Sequence, residues 1–203
     1  MSQIILASQS PRRKELLEQI GLEFEICPAK GEEIITKTIP EEVVMELSKQ
    51  KAEEVAAMVS SFGESHKDIT TPSDILVIGA DTVVAYNGEI LGKPADEADA
   101  KRMLTMLSGN THSVFTGVTL VLIDKSGRAG ELVFYEKTDV HMRAMSDLEI
   151  KRYIATGEPM DKAGAYGIQE KGCIFVERIE GDFFNVLGLP ICKIYTILSQ
   201  GLI

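Results

Sequence analysis

Apolar residues recur along the chain with two different periods, which predicts a mixed α/β fold. Short apolar runs rich in Ile and Val are typical of buried strands, and apolar residues three and four apart are typical of amphipathic helices. The predicted strands are Ile4–Ala7, Glu23–Cys27, Ile75–Val84, Glu89–Leu91, Ser113–Ile123, Leu132–Arg143 and Cys173–Glu180. The predicted helices are Pro11–Ile20, Pro40–Val59, Pro94–Leu107, Asp147–Thr156 and Pro190–Ser199.

Two turn sequences indicate that part of the sheet is antiparallel. Asn87-Gly88 separates two predicted strands, and this dipeptide favours two-residue hairpin turns because both positions need a positive φ. Ser126-Gly127 marks a second turn, between two long strands. The polar segment Ser60–Asp74 is predicted to be an exposed loop within one domain, because apolar elements resume directly after it.

The charges at the predicted helix starts follow one rule with one exception. A helix N-terminus carries roughly half a positive charge, so acidic residues in the first turn are stabilising. The helices that begin near Pro40, Pro94 and Ser146 each have acidic residues there. The first helix instead begins with Arg12 and Arg13. Each like-signed charge costs on the order of 0.3–1 kcal/mol at such a position.

This exception predicts an anion site where the first strand passes into the first helix. The strand Ile4–Ala7 leads into a Ser-rich turn, and Ser10 is a good N-cap residue. A strand, a turn and a helix start crowded with cations together favour a bound phosphate. The alternative is that Arg12 and Arg13 are solvated, or pair with acidic side chains elsewhere.

Two charged residues are predicted to face the core. Lys51 falls in the middle of an apolar helical stripe, between Leu47 and Val55, so its ammonium group either snorkels to water or reaches an interior site. Asp81 lies within an apolar strand, where a carboxylate must be paired, bind a metal or be strained; the alternative is a structural Asp that caps a nearby turn. A phosphatase with an Asp nucleophile is a rival interpretation, but such enzymes usually carry a second Asp where this chain has Val83.

Three further segments contain polar residues that could bind a ligand. Glu32 and Glu33 follow a predicted strand, and alone they indicate a solvated charge pair. Lys93 precedes a helix start, where an anion could dock. The segment Asp161–Gln169 is rich in small residues, which allow close approach of a ligand, and Gln169 offers both a donor and an acceptor to a base edge. The alternative for this segment is a tight turn between strands.

Composition excludes several classes of protein. The 203 residues include 21 basic and 31 acidic side chains, and the net charge of −10 argues against a partner that is a nucleic-acid polymer or an anionic membrane. No signal peptide or membrane-spanning segment is expected, and three scattered cysteines indicate reduced thiols in the cytoplasm. Three scattered histidines lack zinc-ligand spacing, so any metal site is expected to use oxygen ligands.

Taken together, short blocks from Leu6 to Pro190 resemble the Maf family of nucleoside triphosphate pyrophosphatases, in family order and over nearly the whole chain. The blocks are Ala7–Arg13, Glu32-Glu33, Lys49–Ala52, Gly79–Thr82, Leu91–Pro94, Leu107–Gly109, Gly157–Pro159, Asp161–Gln169 and Gly188–Pro190. The block Asp161–Gln169 resembles the branch that acts on dTTP and UTP, not the branch that acts on 7-methyl-GTP. Two departures are a longer loop at Ser60–Asp74 and the sequence Phe183-Phe184-Asn185.

The resemblance implies one domain over residues 1–203, with a twisted mixed sheet flanked by helices. It implies an elongated, two-lobed fold like that of inosine-triphosphate pyrophosphatases, with a central cleft, and a homodimer. The implied reaction is metal-assisted attack of water on the α-phosphorus of dTTP or UTP, which yields the monophosphate and pyrophosphate. The resemblance also implies house-cleaning of non-standard nucleotides and a link to septum formation and cell-division arrest.

The resemblance assigns roles to particular residues of this chain. Asp81 is the implied catalytic proton acceptor, and Glu33 and Asp81 are the implied ligands of Mg²⁺ or Mn²⁺, although Glu32 could take the role of Glu33. The implied substrate-binding residues are Ser8, Arg12, Arg13, Lys51, Thr82, Lys93 and Gln169. Within this set, Arg12, Thr82 and Gln169 are implied to select the base. A nucleotide-responsive regulator that hardly turns over is the alternative, but binding alone would not require Asp81.

Overall fold

The computed structural model describes residues 3–65 and 74–201. The described strands are β1 (Gln3–Leu6), β2 (Phe24–Ile26), β3 (Ile75–Tyr86), β4 (Glu89–Leu91), β5 (Thr111–Asp124), β6 (Gly127–Met142) and β7 (Val176–Glu180). The described α-helices are α1 (Pro11–Gln19), α2 (Pro40–Ser65), α3 (Glu97–Leu107), α4 (Asp147–Ile154), α5 (Phe183–Leu187) and α6 (Ile191–Ser199). The described residues also form three 3₁₀ segments, Glu158–Asp161, Ala163–Ala165 and Lys171–Phe175.

The described strands form one mixed sheet, which confirms the predicted α/β class. Their order is β2-β1-β3-β5-β6-β7, and β4 pairs with the C-terminal end of β3. β1 is parallel to both β2 and β3, whereas the β3–β4 and β6–β7 pairs are antiparallel. The hairpin turn was predicted correctly, because Asn87 and Gly88 have φ values of 49° and 79° between β3 and β4.

The chain divides into two compact units. The first unit takes the residues up to Asp81, the segment Gly117–Tyr135 and the residues from Gly188 onward. Its core joins α2 to the sheet through buried aliphatic side chains. They include Ile5, Ala52, Val55, Val77 and Val121.

Two glycines let helix α2 pack directly on the sheet of the first unit. A Cβ atom at Gly79 would lie against the Ser48 carbonyl oxygen and 2.8 Å from Ala52 Cβ, and one at Gly117 would lie against the Val44 carbonyl oxygen. Real Cβ atoms do not come this close to backbone, so both positions require the absence of a side chain. This contact brings Lys51, next to Ala52, onto the strand that carries Asp81.

The second unit comprises Thr82–Thr116 and Glu136–Leu187. Its core consists of apolar side chains from α3, α4, the strand segments of this unit and the 3₁₀ segments. They include Val84, Leu104, Leu107, Val140, Ile150, Tyr153 and Phe175. Helix α4 begins with the predicted capping box, in which Ser146 and Glu149 satisfy each other's backbone amides.

The structure corrects several predicted boundaries. Residues 60–65, predicted as the start of a loop, continue α2, and residues 66–73 lie outside the described residues. Helix α3 begins at Glu97 instead of Pro94, because the Asp96 carboxylate accepts the Asp99 amide hydrogen and so caps the helix there. Residues Cys173–Phe175 form a 3₁₀ segment instead of the start of a strand, and helix α5 was not predicted.

Candidate active site

The turn between β1 and α1 presents Ser8 and the two arginines together. Ser10 occupies the N-cap position with extended backbone, as predicted, but its side chain makes no capping hydrogen bond. Its backbone amide instead donates to Ser8 Oγ over 3.2 Å. The first turn of α1 contains no acidic residue. This helix start therefore lacks both of the ordinary ways to balance its positive end, and an anion would stabilise it.

Arg13 is buried, so the interpretation that it is a solvated side chain is wrong. It is 9% exposed, and it donates from Nη1 to Ser8 Oγ (3.0 Å) and from Nε to the Gly188 carbonyl oxygen (2.8 Å). Burial lowers the pKa of Arg13, the Asp81 carboxylate opposes that change, and neighbouring Arg12 adds to it. Arg13 thus links the β1–α1 turn to the segment before α6, within the electrostatic field of Asp81.

Lys51, Glu33 and Asp81 form an ionic group that we call the charge cluster. Lys51 Nζ lies 2.5 Å from Asp81 Oδ1 and 2.9 Å from Glu33 Oε1. The side chains of Lys51 and Asp81 are 18% and 13% exposed, whereas that of Glu33 is 51% exposed. The ammonium group therefore does not snorkel to water, and Asp81 is paired, which is one of the states expected of a carboxylate in an apolar strand. In the described contacts, Glu33 and not Glu32 reaches Lys51.

The charge cluster has donors that suit a hard divalent ion. Among residues 3–65 and 74–201, no group of three or more His, Cys, Asp or Glu side chains could hold a metal. Two carboxylates, of Glu33 and Asp81, nevertheless converge on one cationic group, the Lys51 ammonium. Mg²⁺ commonly takes one or two protein carboxylates and completes its shell with water and substrate phosphate. The donor set fits such an ion.

Thr82 and Lys93 lie in the second unit. Thr82 Oγ1 is 2.9 Å from Thr116 Oγ1, and Thr116 Oγ1 donates to the Asn185 carbonyl oxygen over 3.0 Å. Because the Thr116 hydroxyl gives its one hydrogen to Asn185, Thr82 is the donor between the two threonines. Lys93 is exposed just after β4, and the preceding Gly92 carbonyl accepts the amide hydrogen of Gly164.

Gln169 is exposed on a turn that the side chain of Glu158 holds in place. Glu158 Oε2 accepts the Lys171 amide over 3.1 Å, and Oε1 accepts the Gly172 amide (3.1 Å) and the Tyr153 hydroxyl (2.8 Å). Buried Lys162 packs against Gly167 on the other side, because a Cβ there would lie 2.6 Å from Lys162 Cε. The turn is thus fixed in a way that the sequence pattern did not indicate.

We call Tyr153, Glu158 and Lys162 the turn clamp. Lys162 Nζ donates to the Glu158 carbonyl oxygen (3.0 Å) and Asp161 Oδ1 (2.8 Å), and lies 3.4 Å from Glu170 Oε1. The small residues of this segment were evident in the sequence, but the clamp was not predicted. The one signal that could have found it was the block Gly157–Pro159, which includes Glu158.

No helix in the described part of the chain is both long and apolar enough to cross a membrane. The model of the Maf-like protein family matches residues 3–201. A dTTP/UTP pyrophosphatase of Agathobacter rectalis is 67% identical over 200 residues, which cover 98% of each chain. One of Bacillus thuringiensis subsp. konkukian is 48% identical over 201 residues, covering 98% of this chain and 96% of the relative.

Among solved structures, the comparison found HAM1 proteins at low identity. One from Coxiella burnetii has a TM-score of 0.48 and 16% identity, covering 98% of this chain and all of the other. One from Staphylococcus aureus has a TM-score of 0.45 and 13% identity, with the same coverage. The family match over nearly the whole length, together with the high identity of full-length relatives, decides the membership: this chain belongs to the Maf-like protein family.

Proposed function

We propose that this chain is an enzyme that hydrolyses nucleoside triphosphates, with dTTP and UTP as its main substrates, to the monophosphate and pyrophosphate. The observation that carries the proposal is the charge cluster, in which a nearly buried carboxylate lies 2.5 Å from a lysine ammonium. Membership of the family and the names of relatives at 67% and 48% identity support the choice of reaction and base.

Asp81 is proposed to activate the attacking water. Its carboxylate takes a proton as the water oxygen bonds to the α-phosphorus, the bond from that phosphorus to the α–β bridging oxygen breaks, and pyrophosphate leaves with the electron pair. A positioned general base contributes typically ~10²–10⁴-fold to such a step. When the substrate phosphates bind, the Lys51 ammonium pairs with them as well as with Asp81. Its interaction with the Asp81 carboxylate weakens, and the carboxylate can then accept the proton of the attacking water.

The phosphates are proposed to bind at the start of α1. Ser8, Arg12 and Arg13 lie on the turn and first helical residues, where the helix dipole and two guanidinium groups favour negative charge. By resemblance, Lys93 adds a further cation, and Thr82 and Gln169 select the base together with Arg12. Glu33 and Asp81 would hold Mg²⁺ or Mn²⁺, which when bound supplies charge neutralisation at the phosphates.

The wider role follows from the resemblance alone. We propose that residues 1–203 act as one functional domain, that the enzyme is a cytoplasmic homodimer, and that it clears non-standard nucleotides with a link to septum formation and cell-division arrest. None of these statements is needed for the chemistry of the charge cluster.

Product analysis tests the proposal. The purified chain is incubated with Mg²⁺ or Mn²⁺ and a panel of dTTP, UTP, CTP, GTP and ATP, and products are separated by ion-exchange chromatography. We expect dTMP or UMP with pyrophosphate from dTTP and UTP. Release of orthophosphate and a diphosphate as primary products would replace the proposal with a γ-phosphatase, and tight binding without turnover would replace it with a regulator.

A further inference from the structure

A strap of irregular backbone, residues 30–37, carries Glu33 toward the charge cluster. None of these residues belongs to a helix or a strand, and all of them are exposed. The Glu33 side chain is itself half exposed, so packing does not hold it against Lys51. A carboxylate on such a segment stays in one place only if something else fixes the backbone that carries it.

Side chains of α2 bond the backbone of the strap at three places. Glu54 accepts the amide hydrogens of Lys30 (2.8 Å) and Gly31 (3.0 Å). Gln50 accepts the Ile34 amide (3.0 Å) and donates to the Ile34 carbonyl oxygen (2.6 Å), as a neighbouring strand would. Further along, a third side chain, Glu46, accepts the amide (2.9 Å) and hydroxyl (2.5 Å) hydrogens of Thr36.

These three side chains form a ladder with helical spacing. Glu46, Gln50 and Glu54 are four residues apart, so they lie along one face of α2. The strap runs antiparallel to α2, so that its first residues bond Glu54 and its last bond Glu46. Two of the three are carboxylates that accept amide hydrogens, which makes those bonds charge-assisted, and the Thr36 hydrogen bonds lower the pKa of Glu46. Glu33 lies between two of the bonded positions, Gly31 and Ile34, and its carboxylate pairs with Lys51, the neighbour of Gln50.

We propose that Glu46, Gln50 and Glu54 are positioning residues that hold the strap on α2 and thereby fix the Glu33 carboxylate at Lys51 and Asp81. The inference rests on the proposed function only for its effect on catalysis. The ladder contacts no catalytic group itself; it acts through the backbone on both sides of Glu33.

Hydrogen exchange on the free protein tests the ladder without any substrate. In Gln50→Ala the Ile34 amide should exchange about two- to tenfold faster, the factor expected for one lost hydrogen bond, and in Glu54→Ala the same should hold for Lys30 and Gly31. Glu53→Ala is the matched control, because Glu53 lies on the same helix but its carboxylate pairs with Lys49 of α2 and Arg128 of β6. Glu54→Gln keeps one acceptor oxygen and should restore most of the protection.

Kinetics test the link to Glu33. In Gln50→Ala, kcat and kcat/KM for UTP should fall together by roughly tenfold or more, because even a small displacement of Glu33 from its place beside Lys51 and Asp81 is costly, while the melting temperature stays within the range of the Glu53→Ala control. In a Glu33→Gln background, Gln50→Ala should cost almost nothing further, because the residue acts through Glu33.

Three outcomes would overturn the inference. The first is unchanged exchange of the Ile34 amide in Gln50→Ala, and the second is faster exchange there with undiminished kcat. The third is a double variant of Gln50→Ala and Glu33→Gln whose loss of kcat equals the product of the two single losses. A wild-type chain that hydrolyses no nucleotide would instead overturn the proposed function, and the exchange measurements would still decide whether the ladder holds the strap.

Discussion

Each unit of the molecule contains a lysine enclosed by carboxylates, and the two arrangements differ in how they are built. In the first unit, Lys51 on α2 meets Asp81 from β3 and Glu33 from the strap, residues 30 and 18 positions away in the sequence. In the second unit, Lys162 meets Asp161 beside it and Glu170 eight positions on. Tertiary structure assembles one group, and a single turn assembles the other.

The exposure of the partners shows what each arrangement can do. In the charge cluster Asp81 is 13% exposed and Glu33 51%, whereas the partners of Lys162, Asp161 and Glu170, are 70% and 53% exposed, so Asp81 alone among the four is desolvated. In an ion pair that stays desolvated, the ammonium attracts an incoming phosphate strongly and the carboxylate accepts strongly from a water, whereas solvated carboxylates around a buried ammonium mainly hold that lysine in place. We therefore assign chemistry to the charge cluster and support of the Gln169 turn to the turn clamp.

The largest effect is expected from Asp81→Asn. This change keeps the shape of the side chain but removes its charge and its ability to take a proton, so kcat should fall by ~10²–10⁴-fold. Circular dichroism and thermal melting of the same sample establish that the fold is intact. A folded Asp81→Asn variant that keeps most of its activity would make the charge cluster a structural group, like the ion pairs of Lys162 with Asp161 and Glu170.

Substitutions of the two arginines of α1 should differ in their effects on activity and on melting temperature. Arg12→Ala should lower kcat/KM for UTP by about 10–150-fold, the loss of a charge-assisted bond worth roughly 1.5–3 kcal/mol. Its melting temperature should be unchanged or higher, because Arg12 opposes the helix dipole. Arg12→Lys should be intermediate in activity, because the charge is kept without the planar fork.

Arg13→Ala is the matched control for that measurement. Arg13 is buried and bonded to Ser8 and to the Gly188 carbonyl, so its removal should lower the melting temperature as well as the activity. If Arg12→Ala instead lowered the melting temperature by several degrees with activity unchanged, Arg12 would be a structural residue and the phosphate site at α1 would be wrong.

Acid should weaken the second unit through His112. Burial lowers the pKa of His112 from 6.5 to about 4, and its Nε2 lies 2.8 Å from the Tyr166 hydroxyl. Between these values the unfolded chain binds a proton that the folded chain does not, so stability falls as pH drops from about 6.5 to 4. The full loss is about 3 kcal/mol. Urea unfolding across this range should show that slope, and His112→Gln should flatten it.

The smallest effect is expected from Lys162→Met, which keeps the buried stem but removes the ammonium group. The free energy of unfolding should fall by only about 1–3 kcal/mol. The hydrogen bonds of the ammonium group are lost, but its exposed carboxylate partners can return to water, which limits the loss. kcat should change little. The same substitution at Lys51 should lower kcat by at least about tenfold, because it leaves Asp81 desolvated and without its cation. Equal losses of kcat in the two variants would erase the distinction between the clusters.

Local signals predicted much of the fold. The capping box at Ser146, the Asn87-Gly88 turn and the apolar period of α2 depend on neighbouring residues, and the structure confirms them. The start of α3 was misplaced at Pro94 because Pro94 and Asp96 both favour a helix start, and the hydrogen bond from the Asp99 amide to the Asp96 carboxylate decided between them.

The charge cluster could be predicted only in part. Lys51 stood out because a cation broke an apolar stripe, and Asp81 stood out because an acid broke an apolar strand. The ladder and the turn clamp left no such trace. Glu46, Gln50 and Glu54 look like an ordinary solvated helix face, and Glu158 bonds backbone amides 13 and 14 residues away, which any residue type could provide. Side-chain bonds to distant backbone carry no sequence pattern.

Hydrolysis of UTP in H₂¹⁸O is the measurement that tests the central claim most directly. If water attacks the α-phosphorus, as the account predicts, mass spectrometry will find one ¹⁸O atom in UMP and none in pyrophosphate, and Asp81→Asn will abolish the labelled product. Label in pyrophosphate or in orthophosphate would show attack at another phosphorus and would contradict the mechanism assigned to Asp81.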